Sequence, residues 1–191
     1  MKDGARIGLL GGSFNPAHQG HREISLVALN ALHLDAVWWL VSPGNPLKDK
    51  STYHPYSERM AKARLIADHD RIIVSNFEER RSLQYTIDTL GALVDDHPAV
   101  DFVWLMGADS LSTFHKWKDW RKIATLLPIA VFNRPGDENA PQNAEAAREL
   151  TSFQLAETQA KNLAGTEPPA WLFVSSTNNP LSSTEIRNQR R

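Results

Sequence analysis

The stretch IGLLGGSFNPAHQGH, Ile7 to His21, sets an apolar run directly before three glycines, a proline and two histidines. The run has strand character, and the segment after His21 has helical spacing. A strand, a glycine turn and a helix start in succession leave unpaired backbone N–H groups at the helix mouth, where an anion is stabilised by those donors and the helix dipole. In a doubly wound sheet this turn lies at the carboxyl edge, where ligands bind. Composition alone permits three readings of GGSFNPAHQGH: a tight turn without a ligand, a metal site, or a cradle for phosphates.

Outward from this stretch, strand candidates fall at Arg6–Leu10, Ala36–Ser42, Arg71–Ser75, Val100–Met106, Ile129–Asn133 and Trp171–Ser175. Helix candidates lie between them, near residues 20–33, 57–68, 83–96, 109–126 and 143–163, with a short last helix from about Ser183. Strands alternating with helices predict an α/β fold, a single Rossmann-like doubly wound domain over 1–191. Its mostly parallel sheet would have five to six strands with helices on both faces. The run AVWWLV (36–41) lacks polar alternation, as expected of a strand buried on both sides. In the first helix Ile24, Val27, Ala28, Ala31 and Leu32 form an apolar stripe. Polar NRPGDENAPQN, Asn133–Asn143, reads as a surface loop.

The chain has 191 residues, 41% hydrophobic and 23% charged, which suits one domain with a single substantial core. Its net charge of −1 argues against a broad nucleic-acid surface. No cysteine is present, which removes disulfides, thiolate metal sites and a cysteine nucleophile. No signal-peptide or membrane-spanning run is visible, so a cytoplasmic location is expected, with no membrane partner. Oligomeric state is not legible.

The dinucleotide pattern G-x-G-x-x-G and the Walker pattern are both absent, which disfavours a dehydrogenase or a P-loop ATPase. Counting back along the apolar stripe, His21 lies three residues before Ile24 and His18 three before that, so both belong at the helix mouth. No third metal ligand accompanies them. Near the C-terminus, Ser182 and Glu185 of LSSTEIRNQRR fit a capping box. Ser183, Thr184 and Arg187 add a second candidate anion site. Lys48 in SPGNPLK and Arg134 in NRPG fall on loops at the carboxyl edge, where a positive charge could meet phosphates.

These residues carry a resemblance. GGSFNPAHQGH is similar to the G-x-F-D-P-x-H-x-G-H signature of the nucleotidyltransferase superfamily, with Asn15 where many members carry Asp. SSTEIR resembles the S-S-T-x-x-R motif of its pyridine-nucleotide adenylyltransferases. SLQYTIDTL (82–90) and GADSLSTFHKW (107–117) resemble segments of bacterial nicotinate-nucleotide adenylyltransferases. The resemblance implies adenylyl transfer from ATP to nicotinate mononucleotide, giving nicotinate adenine dinucleotide and pyrophosphate, in NAD biosynthesis. It implies His18 and His21 as catalytic residues. Gly11, Gly12, Ser13, Phe14, Gly20, Arg134, Ser183, Thr184 and Arg187 would bind ATP and its phosphates. Lys48, Thr86, Gly107, Asp109 and Trp117 would bind nicotinate mononucleotide, Thr86 at the carboxylate and Trp117 on the ring. Mg2+ would ride on the ATP phosphates, with no protein metal site. Related chemistries are adenylyl transfer to nicotinamide mononucleotide or phosphopantetheine, or nucleotide sensing without catalysis. Residues 136–170 inherit nothing from the resemblance.

Overall fold

In a computed structural model, residues 2–44, 53–135, 139–175, 177, 179, 183 and 186 are described. Seven strands form one sheet: β1 (Ala5–Gly12), β2 (Ala36–Val41), β3 (Ile72–Ser75), β4 (Val100–Gly107), β5 (Ile129–Phe132), β6 (Gln154–Leu155) and β7 (Trp171–Val174). Their order is β3-β2-β1-β4-β5-β7-β6, and every pairing is parallel. The count exceeds the five to six expected because β6 is only two residues long, too short for any periodicity to mark it.

The strand order reverses at β1, which pairs with β2 on one side and β4 on the other. A doubly wound sheet opens its ligand crevice outside the carboxyl ends of such a pair. Here those ends are Gly12 and Gly107, so topology alone brings the glycine turn beside the GAD segment.

Helices cover both faces. Helices α1 (Gln19–Ala31) and α2 (Tyr56–Ala67) bury Ile24, Ala28, Leu29, Met60 and Ala63 against Leu10, Trp39 and Val41. On the opposite face lie α3 (Phe77–Arg80), α4 (Thr86–Asp96), α5 (Ala108–Phe114) and α6 (Trp120–Leu126). With them, Phe77, Leu90, Leu93, Phe114, Trp120 and Ile123 cover Leu9, Leu40, Phe102 and Trp104. Among the described residues no helix is long and apolar enough to cross a membrane.

Two expected helices are broken. The 109–126 segment divides into α5 and α6 around Asp119, which takes a left-handed φ of 51°. That break lets both Phe114 and Trp120 point inward, with ring centroids 5.6 Å apart. The 133–143 stretch, expected to be a loop, ends in a short helix, α7 (Ala140–Asn143), with Pro141 at its start. The 143–163 segment becomes α8 (Glu145–Glu149), β6 and two 3-10 turns. Its Ala- and Glu-rich composition favours helix locally, but tertiary partners win. Trp171 Nε1 donates to the Leu150 carbonyl at 2.8 Å, and Glu157 accepts from the Ser175 N–H at 2.9 Å.

Candidate active site

The glycine turn owes its shape to its neighbours. A Cβ on Gly11 would come within 2.4 Å of the Trp104 ring, so only glycine lets that indole lie against the strand end. At Gly12 the nearest atom to a built Cβ is 3.6 Å away, so packing does not require a glycine there. Its missing side chain leaves the backbone of the turn uncovered. Phe14 has a positive φ of 46° and its ring stacks on Trp39 with centroids 4.9 Å apart. Asn15 is fully buried, and its Oδ1 accepts the His54 N–H at 3.1 Å. The amide therefore ties the turn to the segment before α2, and a neutral group avoids burying a charge there.

His18 is the N-cap of α1 and is 4% exposed, while His21 is its third residue. The two rings lie 3.8 Å apart. The His18 N–H donates to His21 Nδ1 at 3.2 Å, and the His21 N–H donates to His18 O at 3.0 Å. A ring nitrogen that accepts carries no proton, so neutral His21 holds its proton on Nε2 as a donor. Burial, and then the positive fields of His18 and Arg134, hold the His21 imidazole well below its ordinary pKa. Phe14 at 4.7 Å and Trp39 at 5.8 Å back the ring, and Ser25 Oγ accepts from Trp39 Nε1 while donating to His21 O.

Across the crevice, Gly107 is the N-cap of α5 and Asp109 is exposed in its first turn. Arg134 Nε lies 3.5 Å from Asp109 Oδ1, and a Cβ on Gly107 would collide with that carboxylate at 2.4 Å. Gly107, Asp109 and Arg134 thus form one cluster, and Arg134 lies close enough to His21 to lower its proton affinity. Trp117 packs edge-on to Trp104 at 6.3 Å, which carries the contact back to Gly11. Thr86 opens α4 after Tyr85, and Lys118 lies 4.3 Å over the Tyr85 ring while reaching Asp88 at 3.3 Å. The Thr86 and Trp117 segments are therefore neighbours. From the far end of the chain, Ser183 is helical and its Oγ donates to Pro16 O at 2.9 Å, inside the glycine turn. Lys48, Thr184 and Arg187 lie outside the described residues. Gly20 is buried in the first turn of α1. Among the described residues no group of three or more His, Asp or Glu side chains is placed to hold a metal ion.

Residues 9–189 match the cytidylyltransferase-like family model. A protein of Methylorubrum extorquens, described as a "Probable nicotinate-nucleotide adenylyltransferase", is 50% identical over 184 residues, covering 96% of this chain and 100% of its own. A Bradyrhizobium protein of the same description is 50% identical over 183 residues, covering 96% and 95%. Among solved structures, a nicotinic acid mononucleotide adenylyltransferase of Plasmodium falciparum complexed with NaAD superposes with a TM-score of 0.70 at 16% identity, covering 96% of this chain and 83% of that one. The chain belongs to the nicotinate-nucleotide adenylyltransferase family. As a nicotinate-nucleotide adenylyltransferase family member it is a nucleotidyltransferase with a Rossmann-like fold.

In this family member, sequence reading overlooked two groups beside the site. Arg59 is 1% exposed on α2, and Glu78 is 8% exposed on α3. Burial pushes the Glu78 carboxyl up to about 7, against the opposing hydrogen bonds of Thr89 and Ser42. The signal for Arg59 was available: it falls on the face that also buries Met60, Ala63 and Ala67, a place where an apolar residue is expected.

Proposed function

We propose that the chain, as one nucleotidyltransferase domain over residues 1–191, transfers the adenylyl group of ATP to nicotinate mononucleotide, a cytoplasmic reaction of NAD biosynthesis. The products are nicotinate adenine dinucleotide and pyrophosphate. An oxygen of the acceptor phosphate forms a bond to the α-phosphorus of ATP, and the bond from that phosphorus to the oxygen bridging it to the β-phosphate breaks, so that oxygen leaves with pyrophosphate. No covalent enzyme intermediate is needed, so the protein contributes positioning and stabilisation of the charge that gathers on the phosphoryl oxygens.

One observation carries this reading: the His18 and His21 rings sit 3.8 Å apart at the mouth of α1, with His21 Nδ1 occupied by its own N-cap. That bond commits His21 to offering Nε2–H outward. A neutral donor held in place suits a developing phosphoryl charge, and the arriving anion would oppose the burial that lowers its proton affinity. Gly11, Gly12, Ser13, Phe14 and Gly20 shape the backbone around the same anion, with Arg134, Ser183, Thr184 and Arg187 toward the pyrophosphate. Thr86 at the free N-terminus of α4 suits the nicotinate carboxylate. Trp117 offers the ring a flat apolar surface. Gly107, Asp109 and Lys48 complete the acceptor side.

Mg2+ fits this donor set as a passenger of the triphosphate. The Asp109 carboxylate is paired with Arg134, and magnesium is commonly held by substrate phosphates and waters with few protein ligands. When bound it neutralises phosphate charge.

The test is pyrophosphate release with ATP and magnesium across nicotinate mononucleotide, nicotinamide mononucleotide and phosphopantetheine. Nicotinate mononucleotide should give the highest kcat/KM. Preference for either other acceptor reassigns the substrate, and ATP binding without turnover on any of them refutes the transferase reading.

A further inference from the structure

Arg59 occupies a core position yet meets no carboxylate among the described residues; the titratable groups beside it are the neutral Tyr53 and Tyr56 hydroxyls. Four of the five N–H donors of its guanidinium are spent on backbone carbonyls. Nη1 donates to Ser13 O and, at 2.8 Å, to Ser42 O. Nη2 donates to Pro43 O at 3.1 Å, and Nε to His54 O at 3.2 Å. The Tyr53 and Tyr56 rings flank the guanidinium at 5.3 and 5.1 Å. Burying a cation against neutral dipoles alone is costly, so a fold that needed only packing would place an aliphatic residue here.

What these carbonyls share is location. Ser13 follows β1 and belongs to the glycine turn. Ser42 and Pro43 follow β2, whose last turn already leans on β1 through the Ser42 N–H to Gly12 O bond at 2.9 Å. His54 reaches back to Asn15 Oδ1. One side chain therefore joins the turn that would hold the α-phosphate to the exit of β2. It also acts on a particular peptide. The Ser13–Phe14 bond is not among the cis peptides, so its C=O and N–H point in opposite directions. Drawing the Ser13 carbonyl onto a cation turns the Phe14 N–H away from α2 and strengthens it as a donor.

We propose that Arg59 is a positioning residue of the adenylyl transfer: through the Ser13–Phe14 peptide and the Ser42–Pro43 carbonyls it sets the phosphate turn in register with the carboxyl end of β2. The proposal rests on the reading of the reaction given above, and its test keeps the two apart.

Parent, R59K and R59M proteins are compared by thermal melting, by kcat and KM for ATP and nicotinate mononucleotide, and by calorimetric Kd for ATP without acceptor. A parent that releases no pyrophosphate with any acceptor overturns the reaction, and this inference with it. With an active parent, R59K keeps the charge but loses the fork that bridges four carbonyls. Its kcat should fall on the order of 10- to 100-fold, a fraction of the loss seen when a transition-state donor is removed outright. The ATP Kd should move less than about threefold, because the ground state tolerates a misplaced donor that the transition state does not. R59M should lose at least as much kcat as R59K. A folded R59K with parental kcat overturns the proposal. So does an R59K that fails to fold, or one whose only change is a lower melting temperature, since either assigns Arg59 to the fold alone.

Discussion

His18 and His21 illustrate how a local backbone motif becomes a chemical device. A serine or aspartate at the N-cap would satisfy the helix mouth equally well, but would leave no imidazole facing the crevice. Here the cap is a pair of histidines, and the bond from the His18 N–H to His21 Nδ1 fixes the orientation and tautomer of the His21 ring. His18→Ala and His21→Ala should each lower kcat roughly 10²- to 10³-fold, the scale for losing one donor to a developing oxyanion. Pyrophosphate release near the parental rate in either variant removes that histidine from the mechanism. Glu78 makes a separate case at the same scale. Its carboxyl is pushed up to about 7 from 4.5 by burial, so between those values the folded chain binds more protons than the unfolded one. Its stabilising contribution is complete below about pH 4.5 and disappears as pH rises through about 7. Glu78→Gln keeps an oxygen to accept from Thr89 Oγ1, now at 3.3 Å, and removes the buried charge. It should raise stability at pH 8 by up to about 3 kcal/mol, the linkage value of the shift, with the gain shrinking toward pH 5. Urea midpoints at the two pH values check this, and an equal or larger gain at pH 5 contradicts it.

Between elements, the aromatic contact from β1 to α5 and α6 is the decisive one. Gly11 leaves room for Trp104, and Trp104 supports Trp117. Gly11→Ala would push a methyl into the indole of a residue only 2% exposed. Overpacking of this kind costs roughly 1–3 kcal/mol. Because the displaced ring leans on Trp117, KM for nicotinate mononucleotide should rise about tenfold while ATP affinity changes less. A variant that is merely less stable, with both KM values parental, breaks the proposed link. The same comparison of elements shows what sequence can carry. β1, β2 and β4 were legible because strands covered on both faces are uninterrupted apolar runs, and the turn after β1 because its glycines and histidines have no use in a core. The 143–163 segment was not, since its helix-forming composition is overruled by Trp171 and Ser175, partners outside it. Arg59 escaped for a related reason: a charged residue within an apolar stripe weakens the pattern that would reveal its burial, and its acceptors are backbone carbonyls, which no side-chain motif records. The pairing of His18 with His21 was foreseeable from spacing, whereas the convergence of Asp109 and Arg134 depends on β4 and β5 lying side by side.

At the scale of the whole chain, the site is closed by its two ends. Ser183 Oγ reaches Pro16 O across 167 residues of sequence, and on the way Thr177 Oγ1 donates to Asn133 O at 2.6 Å, fastening the segment after β7 to the end of β5. If the helix at Ser183 and Ile186 contributes to ATP binding, the nucleotide bridges the first turn of the fold and its last helix. ATP should then stabilise the chain as a unit. At 100 times its Kd a ligand adds about 2.7 kcal/mol, worth roughly 5–10 °C in melting temperature for a chain of this size. Ser183→Ala removes one neutral hydrogen bond, about 1 kcal/mol, which should lower the melting temperature by about 2–4 °C without ligand. The informative quantity is the second difference. With the last helix loosened from the turn, a fixed ATP concentration should yield a smaller upward shift in the variant than in the parent, together with a higher KM for ATP and an unchanged KM for the acceptor. Arg187→Ala, outside the described residues, should show the same asymmetry more strongly because it deletes a charge proposed to bind the phosphates. Parental ATP shifts in both variants would place the C-terminal segment beside the turn as packing and leave the pyrophosphate to Arg134 alone among the described cations proposed for it.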